Sequence, residues 1–178
     1  MAHYGRLDVL IFCAGILRRT DMSADSFDNY LEMRKVNLDS AIETTLAAAS
    51  ELVKSNGRIV YIASIAALKT FRGFYGYCTT KASLSQFARS VAVELAPAVR
   101  VNVICPGVIK TALYDGIQMR PEDVAAAFAN LSLDPNGASS NEIANDICFL
   151  VSDDAGYIRG HELVVDGGCF IKPPTLHV

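Results

Sequence analysis

Short, continuously apolar runs alternate with long stretches of helical periodicity along this chain, and that alternation predicts a parallel sheet with crossover helices. Leu7 to Cys13 reads as a first strand, too short for a helix and closed by Ala14-Gly15. Ser26 to Ser55 reads as helical with an irregularity near Asn37, and it stops at an Asn56-Gly57 C-cap. Arg58 to Ala63 is a second strand. The next helix, Tyr75 to Ala96, places Leu84, Phe87, Val91 and Leu95 at spacings of three and four, which is one buried face, and Pro97 ends it. Val99 to Ile104 is a third strand, and Pro106-Gly107 turns the chain into a long excursion. Within that excursion Pro121 to Leu131 reads as a short helix, with proline in its first turn and Glu122 and Asp123 at its positive end. Ser139 and Glu142 form a capping box that opens a helix carrying Ile143, Ile147, Leu150 and Val151. Glu162 to Val165 is the last strand, and right-handed crossovers set the four strands side by side in chain order.

No repeat, low-complexity tract or linker divides the 178 residues, so one domain over 1–178 is expected, and 51% hydrophobic with 20% charged residues suits a globular core. A net charge of −3 without any basic run argues against nucleic acid and anionic membrane as partners. Arg18-Arg19 is too short to change this and reads as a solvated loop pair. The apolar run Val9 to Leu17 is too short to span a bilayer. Five cysteines with no C-x-x-C pair read as reduced thiols of a cytoplasmic compartment, and three histidines leave little material for a metal cluster or a histidine-based triad.

Candidate chemistry concentrates at Ser64, Tyr77 and Lys81. A tyrosine hydroxyl titrates near ~10, too high for easy proton exchange at neutral pH, unless a cation stabilises the phenolate. Lys81 follows Tyr77 at i+4, on the same helix face. A cation about 4 Å away in an effective dielectric of ~20 contributes roughly 4 kcal/mol, enough to lower the tyrosine pKa by ~2 to 3. Tyr77 then approaches the range in which a general acid or base works best. Ser64 would hold and polarise a substrate oxygen on which negative charge develops. An isolated Tyr/Lys pair at this spacing is more often an exposed helix pair than a site, and Tyr75 shows how the interval discriminates, because it places Thr79 at i+4.

In order and spacing these residues resemble the short-chain dehydrogenase/reductase family. Ser64 precedes Tyr77 by thirteen residues, the interval of the family's strand-end serine and its Tyr-x-x-x-Lys helix. Val36-Asn37, Arg58 to Ser64, Val101-Asn102, Pro106-Gly107 and Val164 to Gly168 match further landmarks in order, so the resemblance runs from about Gly5 to Gly168. It implies an α/β fold, a partial doubly wound, Rossmann-like parallel sheet with flanking helices that lacks the first strands of the family fold. It also implies an NAD(P)-dependent oxidoreductase interconverting an alcohol and a ketone, with Tyr77 as general acid/base, Ser64 and Lys81 as its partners, and Asn37 as the residue that positions a proton-relay water. Cofactor contacts carried over from the family fall on Ala14, Gly15, Tyr77, Lys81, Pro106, Gly107, Val108, Ile109 and Thr111. The cofactor is NAD or NADP, since the ribose-reading segment does not occur in this sequence.

No glycine-rich strand-to-helix turn occurs in the sequence, so pyrophosphate binding lacks its usual cradle and residues 1–178 alone are expected to bind dinucleotide weakly. The missing strands and helices amount to on the order of 70 to 80 residues. Phe12-Cys13-Ala14-Gly15 departs from the family's Asn-Asn-Ala-Gly. Val9 to Phe12, apolar on both faces, becomes a sheet edge that invites association. Three readings stand side by side: an active oxidoreductase, a truncated inactive paralogue acting through association with other subunits, and a different enzyme reusing the site. Homo-oligomers or association with full-length relatives are expected from the family, whose corresponding helices build subunit interfaces. The expected pocket lining, Ile16, Ile65, Ala66, Phe71, Phe74, Leu113 and Tyr114, favours a medium-sized, uncharged alcohol or carbonyl substrate.

Overall fold

Strand β1 (Val9–Phe12), β2 (Arg58–Ile62), β3 (Arg100–Pro106) and β4 (Glu162–Val165) form one parallel sheet in the order β1-β2-β3-β4, as the alternation of apolar runs predicts. The protein is described by a computed structural model covering residues 3–172, apart from 118, 121, 124, 125, 127–129, 135 and 136. The helix expected over Pro121 to Leu131 therefore lies largely outside the described residues. β3 is buried at every position, as a central parallel strand covered on both faces should be, and β1 is an edge, with Ile11 44% exposed. β3 also runs two residues further than the sequence suggests, carrying Cys105 and Pro106 to the rim of the sheet.

Helices cover the two faces. On one side α2 (Ser40–Ser55) and α3 (Tyr75–Glu94) enclose Phe12, Ile59, Tyr61, Leu84, Val101, Val103 and Cys105, and α1 (Ser26–Arg34) packs against α3. On the other, α4 (Ser140–Val151) packs Ile143 and Leu150 against Val60 and Ile104. Adjacent strand residues thus serve opposite cores, which the two-residue period of a strand requires. The expected capping box opens α4, with Glu142 accepting from the Ser139 N–H at 2.6 Å. Arg100, buried on β3, closes the other end by donating to the carbonyls of Leu150 and Ser152, both at 2.8 Å, a cation where the helix dipole is negative.

Two irregularities place the site. The break expected near Asn37 is a single π-helical turn, Lys35–Asp39, between α1 and α2, with Asn37 fully buried at its centre. At the end of α2 the Asn56-Gly57 pair divides its labour. Asn56 takes the left-handed conformation (φ 51°), while Gly57 is needed for space, since a Cβ there would stand 2.9 Å from the Asp8 carbonyl oxygen.

Candidate active site

Parallel pairing brings the carboxyl ends of all four strands to one rim, and the candidate residues collect there because each follows a strand or the turn after it. A cleft of about 650 Å³ opens at this rim. Its walls include Gly15 after β1, Ser64 after β2, Tyr77 and Lys81 from α3, and Pro106, Gly107, Ile109 and Thr111 at and after the end of β3. Ala14 and Val108, expected as cofactor contacts, are not on this wall. Asn37 is also off it, but reaches it through Ile16, whose N–H it accepts at 2.8 Å and whose carbonyl it donates to at 3.0 Å.

Ser64 follows β2 in an extended conformation and caps a short 3-10 turn, Ile65–Ala67, accepting from Ala66 N at 3.1 Å. Tyr77 sits in the first turns of α3, its ring packed with Leu17, Met33, Ala66 and Ile117. Burial pushes its phenol well above the usual tyrosine range, a hydrogen bond with Ser64 pulls it back in part, and Tyr114 and Cys78 add to the rise. Lys81, 4% exposed, donates to the Ile62 carbonyl at 2.8 Å and lies 5.7 Å from the centre of the Tyr77 ring. Burial lowers it to about 8, against smaller raising effects of Cys13 and Cys105. The lowering of the Tyr77 pKa expected from Lys81 is therefore not found in this structure. Both groups are dominated by desolvation, which drives each toward its neutral form.

Polar groups gather on the Gly15 side of the cleft. Gly15 keeps a hollow open there: a Cβ on it would stand 3.4 Å from Lys81 Nζ and 3.6 Å from Asn37 Oδ1, so a cation and an amide oxygen with a spare lone pair border the same space. Gly107, also on the wall, is closely packed. Its N–H is committed to Val165 O at 3.0 Å, and a Cβ would meet Asp166 Cα at 2.7 Å. Gly107→Ala is expected to cost about 2 kcal/mol through this backbone clash, a fall in Tm of roughly 4 to 8 °C in a thermal melt. An unchanged Tm would show that the β3 and β4 ends separate freely.

Several lining expectations need correction. Ile16, Leu113 and Tyr114 line the cleft, but Ile65 and Ala66 are buried, and Phe71 and Phe74 pack behind Tyr77 rather than on the wall. Arg18 is no free loop cation. It lines the cleft and grips Glu32 through two hydrogen bonds of 3.0 Å, while Arg19 lies over the Phe74 ring. The sequence reading missed Cys13 and the α4 residues Ser140, Ile143, Ala144 and Ile147 as lining. Ile143 and Ile147 carried the right signal, an apolar i, i+4 stripe, which serves core and cleft together. Among the described residues no His, Cys, Asp or Glu cluster could hold a metal, and no helix is long and apolar enough to cross a membrane.

A family model described as enoyl-(acyl carrier protein) reductase matches residues 1–169. The chain is 35% identical over 170 residues to cyclopentanol dehydrogenase from Comamonas sp., covering 94% of this chain and 68% of that protein. It is 32% identical over 171 residues to 3-oxoacyl-(acyl-carrier-protein) reductase from Haemophilus influenzae, covering 95% and 69%. Among solved structures it matches a cofactor-bound short-chain dehydrogenase/reductase from Caenorhabditis elegans with a TM-score of 0.86 at 31% identity, over 95% of this chain and 67% of that one. The structural match puts the four-stranded parallel sheet in the Rossmann-like fold, and the two sequence relatives are oxidoreductases. The chain belongs to the short-chain dehydrogenase/reductase family of oxidoreductases.

Proposed function

We propose that this cleft interconverts an uncharged alcohol and its ketone with NAD or NADP, and that Tyr77 moves the proton. The observation that carries this reading is the convergence of Ser64, Tyr77 and Lys81 on one wall of the cleft at the carboxyl ends of the strands. Both relatives quoted above are enzymes, which favours this reading over a catalytically silent chain. A nicotinamide ring, when bound, supplies or accepts the hydride. Gly15, Lys81 and Thr111 are the residues that would hold the end of the cofactor carrying it.

In reduction, the substrate oxygen gains negative charge and lies between the hydroxyls of Ser64 and Tyr77. Ser64 donates a hydrogen bond to it, and Tyr77 Oη delivers the proton. Tyr77 is protonated at neutral pH in this structure, so it starts as the acid. After transfer, the phenolate is stabilised by the ammonium of Lys81, whose pKa of about 8 leaves it largely charged at neutral pH. In oxidation the same atoms run in reverse. Asn37 accepts from Ile16 with one lone pair and presents the other beside Lys81, the arrangement needed to hold a water that refills the proton on Tyr77. The apolar wall of Ile16, Leu17, Ile109 and Leu113 suits a compact uncharged substrate, because the charge of Arg18 is taken up by Glu32.

The test is nicotinamide reduction by the protein expressed from its native gene, with a panel of secondary cyclic and acyclic alcohols. Ser64→Ala is expected to lower kcat by about 10²-fold, as for loss of one donor to a developing oxyanion. Activity that is indifferent to Ser64 removes it from the mechanism.

A further inference from the structure

Two buried asparagines clasp the backbone in this protein. Asn102 on β3 donates to Ile158 O at 2.9 Å and accepts from His161 N at 3.0 Å, tying β3 to the approach of β4. Asn37 clasps Ile16 in the same two-point manner but adds a third bond, from Nδ2 to Thr80 Oγ1 at 3.1 Å. Thr80 Oγ1 in turn donates to Tyr77 O at 2.9 Å. Its single proton is committed to that carbonyl, so towards Asn37 the hydroxyl is an acceptor, and both Nδ2 hydrogens of Asn37 are used. Asn37 and Thr80 are 0% and 1% exposed, so bulk solvent does not reach the Nδ2–Oγ1 contact to replace a lost partner there. The third bond joins the π turn Lys35–Asp39 to the helical turn that carries Tyr77 and Lys81.

We propose that Thr80 is a positioning residue. Its hydroxyl fixes the plane of the Asn37 amide against the Tyr77 to Lys81 turn, so that Oδ1 stays on the hollow beside Gly15 that Lys81 Nζ also borders. Thr80 acts through Asn37, and this role rests on the acid–base reading of the cleft given above. Valine keeps the shape of threonine and removes both bonds, whereas serine keeps both.

The test follows side-chain amide exchange in protein carrying isotope-labelled asparagine, where Asn102 is an internal control. In Thr80→Val the Asn37 amide is expected to exchange at least about tenfold faster while Asn102 is unchanged, and Thr80→Ser keeps both slow. Equal protection of Asn37 in Thr80→Val and wild type overturns the proposal. Should the valine variant not fold, the wild-type protein decides by itself: a nuclear Overhauser contact between the Asn37 Nδ2 protons and the Thr80 methyl is expected, and its absence is equally fatal. In turnover, Thr80→Val lowers kcat about tenfold with KM unchanged, and Thr80→Ser recovers it. Wild-type turnover that Thr80→Val leaves intact sinks the positioning role alone. Absence of any wild-type turnover with either nicotinamide nucleotide sinks the functional reading beneath it.

Discussion

Tyr77→Phe is expected to lower kcat for ketone reduction by roughly 10²–10⁴-fold, the range of a lost general acid, while leaving nucleotide affinity close to wild type. The substitution removes one oxygen and keeps the ring that packs against Leu17, Met33, Ala66 and Ile117, so the fold and the cleft wall stay in place. It also removes a buried hydroxyl together with its bond to Ser64, and the melting temperature should move little. Steady-state kinetics with a parallel nucleotide titration separates the two effects. Turnover equal to wild type would take Tyr77 out of the chemistry.

Lys81→Met is expected to damage both turnover and nucleotide binding, and it carries a signature in stability. Lys81 binds its proton less tightly in the folded protein, at about 8, than in the unfolded chain, at its ordinary 10.5. Between those values the unfolded chain holds more protons, so this group makes the folded state gain stability as pH rises. A difference of this size is worth about 3 kcal/mol. Tyr77 opposes the trend only above its ordinary value of 10.0, because its folded pKa is raised. The stability difference between wild type and Lys81→Met should therefore move in favour of wild type between pH 8 and 10, as followed by denaturant titration at several pH values. Methionine leaves the Ile62 carbonyl without its donor, which shifts the whole curve but not its slope. Parallel curves would mean that Lys81 is not desolvated in the folded protein.

The elements were legible where a local pattern dictates them. Glu162–Val165 and the Ser139/Glu142 cap appear where the sequence puts them, and the irregularity at Asn37 is the π turn. The electrostatics were not legible, for a physical reason. An i+4 interval fixes the face that Tyr77 and Lys81 share, but not the burial of that face, and desolvation outweighs their attraction here. Phe71 and Phe74 precede Tyr77 in sequence, yet the bridge between Thr20 and Phe74 holds that segment in the cluster of Leu17, Met33 and Ile117, where the two rings support the wall without lining it. Thr80 reads as an unremarkable polar helix residue because its partner, Asn37, lies 43 positions away and meets it only through the fold. Ile143 and Ile147 on the α4 side of the wall were missed because core and cleft place the same demand on an apolar stripe.

The central claim is that this cleft transfers hydride between an alcohol carbon and a nicotinamide while Tyr77 handles the proton. The most direct measurement oxidises a secondary alcohol deuterated at its carbinol carbon, using the protein expressed from its native gene, and locates the label. The account predicts deuterium in the reduced nicotinamide, none released to water, and labelled product forming at least about 10²-fold more slowly with Tyr77→Phe. Deuterium appearing in solvent, or label transfer that proceeds unchanged without the Tyr77 hydroxyl, would contradict it.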